Sequence, residues 1–363
     1  MNATSLAHQG TASAHRPSPA IADRKAAFSA HLAALRSRPG NTTLSLRGQT
    51  LEARDIALLA EVLDEQCGLP GGLPFNTIDF TDARLHSPLP LLTVLDAHAG
   101  AGITCLDFSG AQSLADGQAQ ASPAEGLDEP ALQAIIGFVG TSTALRSLTL
   151  DRQPALGLLP FMGRLAANQF HDLQPPLLRL LAALQGSAVE TLALRGCQLS
   201  PQDWGNLDNG LRRAALKHLD LEGNDQMATA SSADACLTFL VFLCSLDRHP
   251  SLETLRLPSQ ATSWALAGCS KLMKDHPMWP RLALPGNRRL RQVSPLMDSD
   301  DQRLAGLRQT LHRNQAQWQQ DWERVRTFAL CLRDAPAPQG LGLPRELKHR
   351  LVGTAIRQLH LPS

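Results

Sequence analysis

The sequence predicts an α/β fold in which short parallel strands and helices alternate and stack as a solenoid. One observation is an apolar pattern, L-x-x-L-x-L, that recurs along the 363-residue chain. A second is the helical spacing of apolar residues in the segments between these runs. A third is a composition with 43% hydrophobic but only 4% aromatic residues, which suits a thin, repetitive core. Units of this size do not bury their own apolar faces, so we expect them to stack on one another.

The repeated pattern is clearest in two segments near the middle of the chain. Val189–Leu199 reads V-E-T-L-A-L-R-G-C-Q-L, and Leu216–Asn224 reads L-K-H-L-D-L-E-G-N. Between the two leucines of L-x-L, one side chain faces away from the core. The Asn or Cys three positions after the second leucine is expected to bind backbone groups where the chain turns. Eight copies are predicted, with the middle apolar residue of each at Leu44, Ile78, Leu106, Leu148, Leu192, Leu219, Leu255 and Leu282.

The segments between and around these copies predict the helices and caps. Within the repeat array, residues 41–290, helices are predicted at Glu52–Gln66, Ser231–Leu246 and Ala261–Asp275. Residues 21–40 are expected to form an N-terminal capping helix, and residues 291–363 a C-terminal helical cap. Solenoids need such caps to cover their exposed ends. The helices predicted in the C-terminal cap are Asp300–Asn314, Ala316–Asp334 and Arg345–Leu359.

The repeats resemble the ribonuclease-inhibitor-like class of leucine-rich repeats, across about Asn41 to Asn287. The resemblance implies a horseshoe with a parallel sheet on the concave face and helices outside. The whole chain resembles type III secreted effectors of plant-associated proteobacteria, because the repeats occur with an Ala/Leu/Arg-rich composition and a Ser/Thr/Ala-rich leader. Residues 1–20 are then expected to be a disordered export signal, and the site of action a host cell. The alternative location is the bacterial cytoplasm.

The concave face is the predicted binding surface, because repeat curvature creates an extended site for a protein partner. Its side chains come from the position between the two leucines of L-x-L and from the position after the second leucine, and most of them are polar. An ordinary solvated sheet face is the alternative interpretation. The residues predicted to bind the partner are Arg47, Asp79, Asp107, Asp151, Arg195, Asp220, Glu222 and Arg256.

Two features of the C-terminal region suggest further contacts. Trp318 and Trp322 lie four residues apart, on one helical face. They either cover the last repeat or form an exposed anchor pair. The segment L-P-R-E-L-K-x-x-L near the C-terminus resembles the start of an F-box, and more loosely the end of a SOCS box. This resemblance implies recruitment of a ubiquitin-ligase adaptor through Leu343, Pro344, Glu346, Leu347 and Leu351.

Enzyme signatures are absent from the sequence. We find no P-loop, GxSxG, HExxH or dinucleotide-binding glycine motif. His86-Ser87 and Cys331 near Asp334 are weak catalytic candidates, because neither has an evident activating partner. The seven cysteines include no CxxC pair, which indicates reduced core thiols rather than a disulfide framework or a zinc site. We therefore expect neither a cofactor nor a metal.

Charge is unevenly divided along the chain. From Trp279 to Ser363 there are 14 Lys and Arg against 7 Asp and Glu, while the whole chain has a net charge of +1. The basic residues are interspersed with acids and lack neighbouring aromatics, which argues against nucleic-acid binding. No apolar run is long enough to span a membrane.

Three functions remain open at the level of sequence. The first is a secreted effector that binds a host protein through the repeats. The second is a component of a ubiquitin-ligase assembly that recruits substrate through the repeats. The third is an intracellular bacterial scaffold.

Overall fold

The structure is a computed structural model that describes residues 25–26, 28–30, 33, 42–69, 73–98, 102–114, 126–157, 174–228, 233–272, 278–298, 301–334 and 353–354. These residues form an α/β fold, with an eight-stranded parallel sheet and helices packed against it. The arrangement is compatible with a solenoid, because consecutive strands and consecutive helices are neighbours in space.

The main sheet is built from strands of three residues each. Neighbouring strands follow chain order and pair in parallel, so that the middle residue of one strand lies beside the middle residue of the next. Leu192, for example, is in register with Leu219. The strands of this sheet are β1 (Thr43–Ser45), β3 (Thr77–Asp79), β5 (Cys105–Asp107), β7 (Ser147–Thr149), β8 (Thr191–Ala193), β9 (His218–Asp220), β10 (Thr254–Arg256) and β11 (Gln292–Ser294).

A second parallel sheet of three very short strands lies just after the first three strands of the main sheet. It consists of β2 (Thr50–Leu51), β4 (Arg84–Leu85) and β6 (Gln112–Ser113).

The helices alternate with the strands and carry the other half of the core. Among the described residues they are α1 (Ala53–Cys67), α2 (Leu89–Ala97), α3 (Glu129–Thr141), α4 (Pro176–Leu184), α5 (Asp203–Leu211), α6 (Ala233–Ser245), α7 (Ser259–Leu272) and α8 (Ala305–Asp334). In α1, Ile56, Leu59 and Leu63 are buried at helical spacing, and Glu52 and Asp55 form a capping box at its start. The helices predicted within the array at 52–66, 231–246 and 261–275 are therefore confirmed to within three residues at each end.

Seven of the eight predicted strand centres are confirmed, and the eighth is wrong. The residues from Leu44 to Leu255 lie at the middle of their strands, whereas Leu282 lies in a 3₁₀ helix, Trp279–Ala283. Pro280 favours this helical start because its ring fixes φ and it has no N–H to donate to a sheet. The eighth strand is β11, centred on buried Val293, so the sheet continues past the predicted boundary at residue 290.

The two ends of the sheet carry helical residues. At the N-terminal end, the described residues between 25 and 33 are helical, Phe28 packs on the core, and Lys25 forms ion pairs with Glu61 and Glu65. At the other end, α8 runs as one helix where two were predicted with a break near residue 315. Asn314 lies within this helix, and its buried side chain donates to the backbone oxygens of Asn287 and Leu290, which ties the helix to the segment before β11.

The turns after β7, β8 and β9 are held by buried polar side chains. Asn224 donates to the backbone oxygens of Leu194 and Leu221, at 2.8 and 2.7 Å, and accepts from the N–H of Leu199. The Cys197 thiol donates to the oxygen of Leu150 at 3.0 Å. The predicted role of Asn and Cys at this position is therefore confirmed.

Gln153 performs the same role one unit earlier, which the sequence pattern did not indicate. Its side chain donates to the oxygens of Phe108 and Ala111 and accepts from the N–H of Leu127. In the units where Ala83 and Ala111 occupy this position, the three-stranded sheet pairs the backbone instead.

Glycine is needed at one turn because another side chain lies over it. Gly110 has φ of +62°, and a Cβ there would lie 2.5 Å from the Arg152 guanidinium, which pairs with Asp82. Gly48 has nearly the same φ, but a Cβ there would meet no atom within 4 Å. We expect Gly48→Ala to cost about 1 kcal/mol from the left-handed backbone alone. Gly110→Ala should cost up to about 1 kcal/mol more, because it displaces an exposed ion pair. Urea unfolding of both variants measures the difference, which should vanish in an Arg152→Ala/Asp82→Ala background, because a Cβ at position 110 would also lie 2.7 Å from the Asp82 carboxylate.

His249 makes stability depend on pH. The ring is buried, and its Nδ1 accepts from the N–H of Leu252, so burial lowers its pKa to about 4 from 6.5. The folded protein therefore binds this proton less tightly than the unfolded chain. Lowering the pH from about 6.5 towards 4 should destabilise the fold by about 2 kcal/mol. Urea unfolding of the wild type and of His249→Asn across this range measures the effect, and an equal pH slope in both would contradict it.

Candidate functional site

One face of the main sheet presents polar side chains away from the core. In each strand the middle residue is buried and the residues on either side of it are at least partly accessible in nearly every case. We call this surface the open sheet face. It also includes the side chains two positions after the end of each strand. Because the strands are in register, equivalent residues form straight rows across it.

Two neighbouring carboxylates form an acidic part of the open sheet face. Asp79 and Asp107 are directly paired in register. Each accepts a hydrogen bond at 2.9 Å from a backbone N–H two residues later, that of Thr81 or Ser109. Neither forms an ion pair with any Lys or Arg in the described ranges. Two negative charges therefore face solvent side by side.

The pKa of Asp79 is lowered despite its partial burial. Burial alone would raise it, but hydrogen bonds from Thr81 and Ser45 and the nearby charge of Arg47 outweigh that effect. Asp79 is therefore ionised at neutral pH. The Arg47 side chain is exposed at the edge of the same part.

Further along the sheet, arginines and aspartates form a network. The Arg195 Nε lies 2.9 Å from Asp151 and 3.7 Å from Asp220, and Arg256 lies 3.5 Å from Asp220. The side chains of Arg195 and Arg256 remain about half exposed. The open sheet face thus has a cationic part beside its acidic part.

Asp151 supports this network from below. It is only 8% exposed, and burial raises its pKa in spite of hydrogen bonds from the Arg195 backbone and side chain. Asp151 therefore orients Arg195 more than it presents a carboxylate to solvent. Glu222 is also engaged within the chain, because it accepts from the Ser259 hydroxyl at 2.9 Å.

The structure brings other side chains to this face that the sequence analysis did not select. His218 and Thr254 lie on adjacent strands, with Nδ1 and Oγ1 2.8 Å apart, and burial lowers the His218 pKa. Ser45 donates to Asp79. His218, Thr254 and Ser45 each occupy the first or third position of a three-residue strand. The repeat pattern could therefore have assigned them to this face.

Of the weak catalytic candidates, Ser87 has a structural contact, and two cysteines outside that set have neutral thiols. The Ser87 hydroxyl accepts from the N–H of Leu89, at the start of α2. Burial raises the pKa of Cys197 to about 12 and of Cys244 to about 11, so both thiols are neutral at physiological pH. The Cys331 side chain lies outside the described residues.

The two tryptophans of α8 have different environments. Trp318 stacks on the Arg291 guanidinium, 4.5 Å from the ring centre, and Arg291 pairs with the buried carboxylate of Glu253. Trp322 stacks parallel to Trp318 and stays 37% exposed. Trp318 therefore covers the end of the sheet, and a role for Trp322 as an anchor stays a prediction.

The leader at 1–20 and the adaptor-binding residues Leu343, Pro344, Glu346, Leu347 and Leu351 lie outside the described residues. Of the helix predicted at Arg345–Leu359, the structure describes only residues 353–354, which are helical. Within the ranges that are described, no helix combines the length and apolarity that crossing a membrane requires. No cluster of three His, Cys, Asp or Glu suited to a metal ion occurs there either. In comparisons with known proteins, no family model matches the chain, and no curated protein is significantly similar to it.

Proposed function

We propose that the chain is a leucine-rich-repeat protein whose units curve into a horseshoe. The strict chain order of the strands, their single register and the buried turn side chains support this proposal. In such an array, the open sheet face is the concave surface, and every unit adds side chains to it.

The proposed function is binding of another protein through this face. The observation that carries the proposal is the Asp79–Asp107 pair, because two adjacent carboxylates that form no ion pair with a described residue leave a charge for a ligand to neutralise. The Arg195–Asp220–Arg256 network adds a second charged region to the same surface. A partner with Lys or Arg placed against the acidic part fits this arrangement.

Affinity capture from host-cell extract tests the proposal. The full chain and the Asp79→Asn/Asp107→Asn variant are used as bait, and bound proteins are quantified by mass spectrometry. We expect the variant to recover the specific partner about tenfold less well. A matched control, Asp96→Asn/Glu323→Gln, removes two exposed carboxylates from α2 and α8 and should recover the partner normally. Equal recovery by all three proteins would contradict a role for the acidic part.

We further propose that the protein acts in a host cell after type III secretion. The leader composition and the eukaryote-like repeats support this location. Fusion of residues 1–100 to a translocation reporter should show delivery that depends on the secretion system. Absence of delivery would favour the intracellular scaffold.

A truncation distinguishes the ubiquitin-ligase alternative from binding through the open sheet face alone. Full-length protein and a Met1–Pro338 chain are compared in the same capture experiment. Ligase adaptors recovered only with the full chain would favour the alternative. The same partner recovered with both chains would favour binding through the sheet face alone.

A further inference from the structure

A groove on the helical side of the molecule has an apolar floor and a cationic rim. Its volume is about 580 Å³, and it is separate from the open sheet face. It lies between the end of α5, the last turns of α6 and the segment that contains the 3₁₀ helix Trp279–Ala283. Its apolar lining residues are Val241, Cys244, Met278, Pro280 and Pro285.

The floor belongs to a helix whose solvent side is unusually apolar. Leu237 and Val241 lie one turn apart on α6, and each is 37% exposed. At the solvent side of α1, by contrast, are charged residues such as Arg54 and Glu61. Because Leu237 continues the apolar stripe one turn beyond the groove, the surface suits an elongated occupant rather than a compact one.

The rim carries an excess of positive charge. Among the described residues that line the groove, Arg212, Arg248 and Arg281 are cationic, and Asp247 is the one acid. Asp247 accepts from the backbone N–H groups of Gly286 and Asn287, at 2.7 and 3.2 Å, so its charge is already engaged.

Two of the three arginines are available to a ligand. Arg212 pairs with Asp208 at 2.8 Å. Arg248 and Arg281 are exposed, and neither forms an ion pair with another residue in the described part of the chain.

We propose that this arginine-rimmed groove binds an acidic amphipathic segment of a partner protein. Apolar side chains of the segment rest on Val241 and Met278, and its carboxylates face Arg248 and Arg281. The apolar contact buries most of the interface area. The charges set the orientation of the bound segment and the preference for acidic side chains. The proposal does not depend on the function of the open sheet face, because no residue is shared between the two surfaces.

Two synthetic peptides of about 14 residues test the preference. One has Leu at helical spacing with Glu at the remaining positions, and the other has Gln in place of every Glu. Binding of each fluorescein-labelled peptide to the full chain is followed by fluorescence polarisation. We expect the Glu peptide to bind at least about tenfold more tightly than the Gln peptide at low salt. The difference should shrink when salt is raised to about 0.5 M.

Three variants locate the site. Arg248→Glu/Arg281→Glu should remove the preference for the Glu peptide, and Val241→Asp should weaken both peptides. The matched reversal Arg54→Glu/Arg324→Glu, at exposed positions on α1 and α8, should leave binding unchanged. All substituted positions are exposed, so retention of the wild-type thermal transition verifies folding in each variant.

Three results would overturn the proposal. One is equal affinity for the two peptides, and another is a preference that survives reversal of Arg248 and Arg281. The third is sedimentation of the wild type as a dimer that Val241→Asp dissociates, which would assign the groove to a second copy of the chain. None of these outcomes affects the test of Asp79 and Asp107.

Discussion

Leu219→Asp should lower the free energy of unfolding by about 4 kcal/mol or more, the largest effect that we expect from a single substitution. Leu219 is 2% exposed and lies at the centre of β9, in register with Leu192 and Leu255 on its two neighbours. An aspartate there would place a charge among apolar side chains of adjacent strands, where the neighbouring core residues offer no cation to pair it. Urea unfolding monitored by circular dichroism measures the loss.

A surface position in the same sheet provides the control for this substitution. Gln292→Asp introduces the same carboxylate at an exposed site on β11, so its effect should stay within about 0.5 kcal/mol. A Leu219→Asp protein that unfolds cooperatively near the wild-type midpoint would contradict the buried position of this side chain.

Asn224→Ala should cost about 3 kcal/mol, because three buried backbone groups lose their hydrogen-bond partners. These are the oxygens of Leu194 and Leu221 and the N–H of Leu199. Asn224 itself has no exposed surface, so water does not replace the missing amide. The same urea titration measures the effect.

Asn224→Cys tests whether a thiol at position 224 can replace part of the stability that the amide contributes. In the preceding unit, Cys197 occupies the equivalent place and donates to the oxygen of Leu150. A cysteine at position 224 should therefore recover about 1 kcal/mol of the loss in Asn224→Ala. Equal losses in the two variants would show that a thiol does not substitute for the amide here.

Periodicity was enough to predict the seven main-sheet strands from β1 to β10, including β3 and β5, where the second apolar residue is Phe80 or Phe108. It failed at Leu282, because Trp279, Leu282 and Leu284 match the pattern although Pro280 directs the chain into a 3₁₀ helix. It missed β11, where Pro295 stands at the place of the second leucine. Gln153 was missed because its residue type lies outside the pattern, although its longer amide reaches the oxygen of Phe108, which is equivalent to the oxygen of Leu194 that Asn224 binds.

The surface was predictable as a set of positions, but its internal contacts were not. Alternation assigned Asp79, Asp107 and Asp220 to one face, and their register follows once the strands are placed. The engagement of Asp151 with Arg195 depends on side-chain reach across a strand gap, which spacing alone does not encode. The arginine-rimmed groove joins residues from three separate segments, so no local pattern contains it.

The turn side chains couple each unit to the one before it. Gln153, Cys197 and Asn224 each donate to a carbonyl of the preceding unit, those of Phe108, Leu150 and Leu194. The dependence is mutual, because the Asn224 side chain needs an acceptor, and the oxygen of Leu194 and the N–H of Leu199 need Asn224. Removal of a unit from either side of this region would therefore leave polar groups of its neighbour without a partner. We expect the units that contain β7, β8 and β9 to unfold together rather than one at a time.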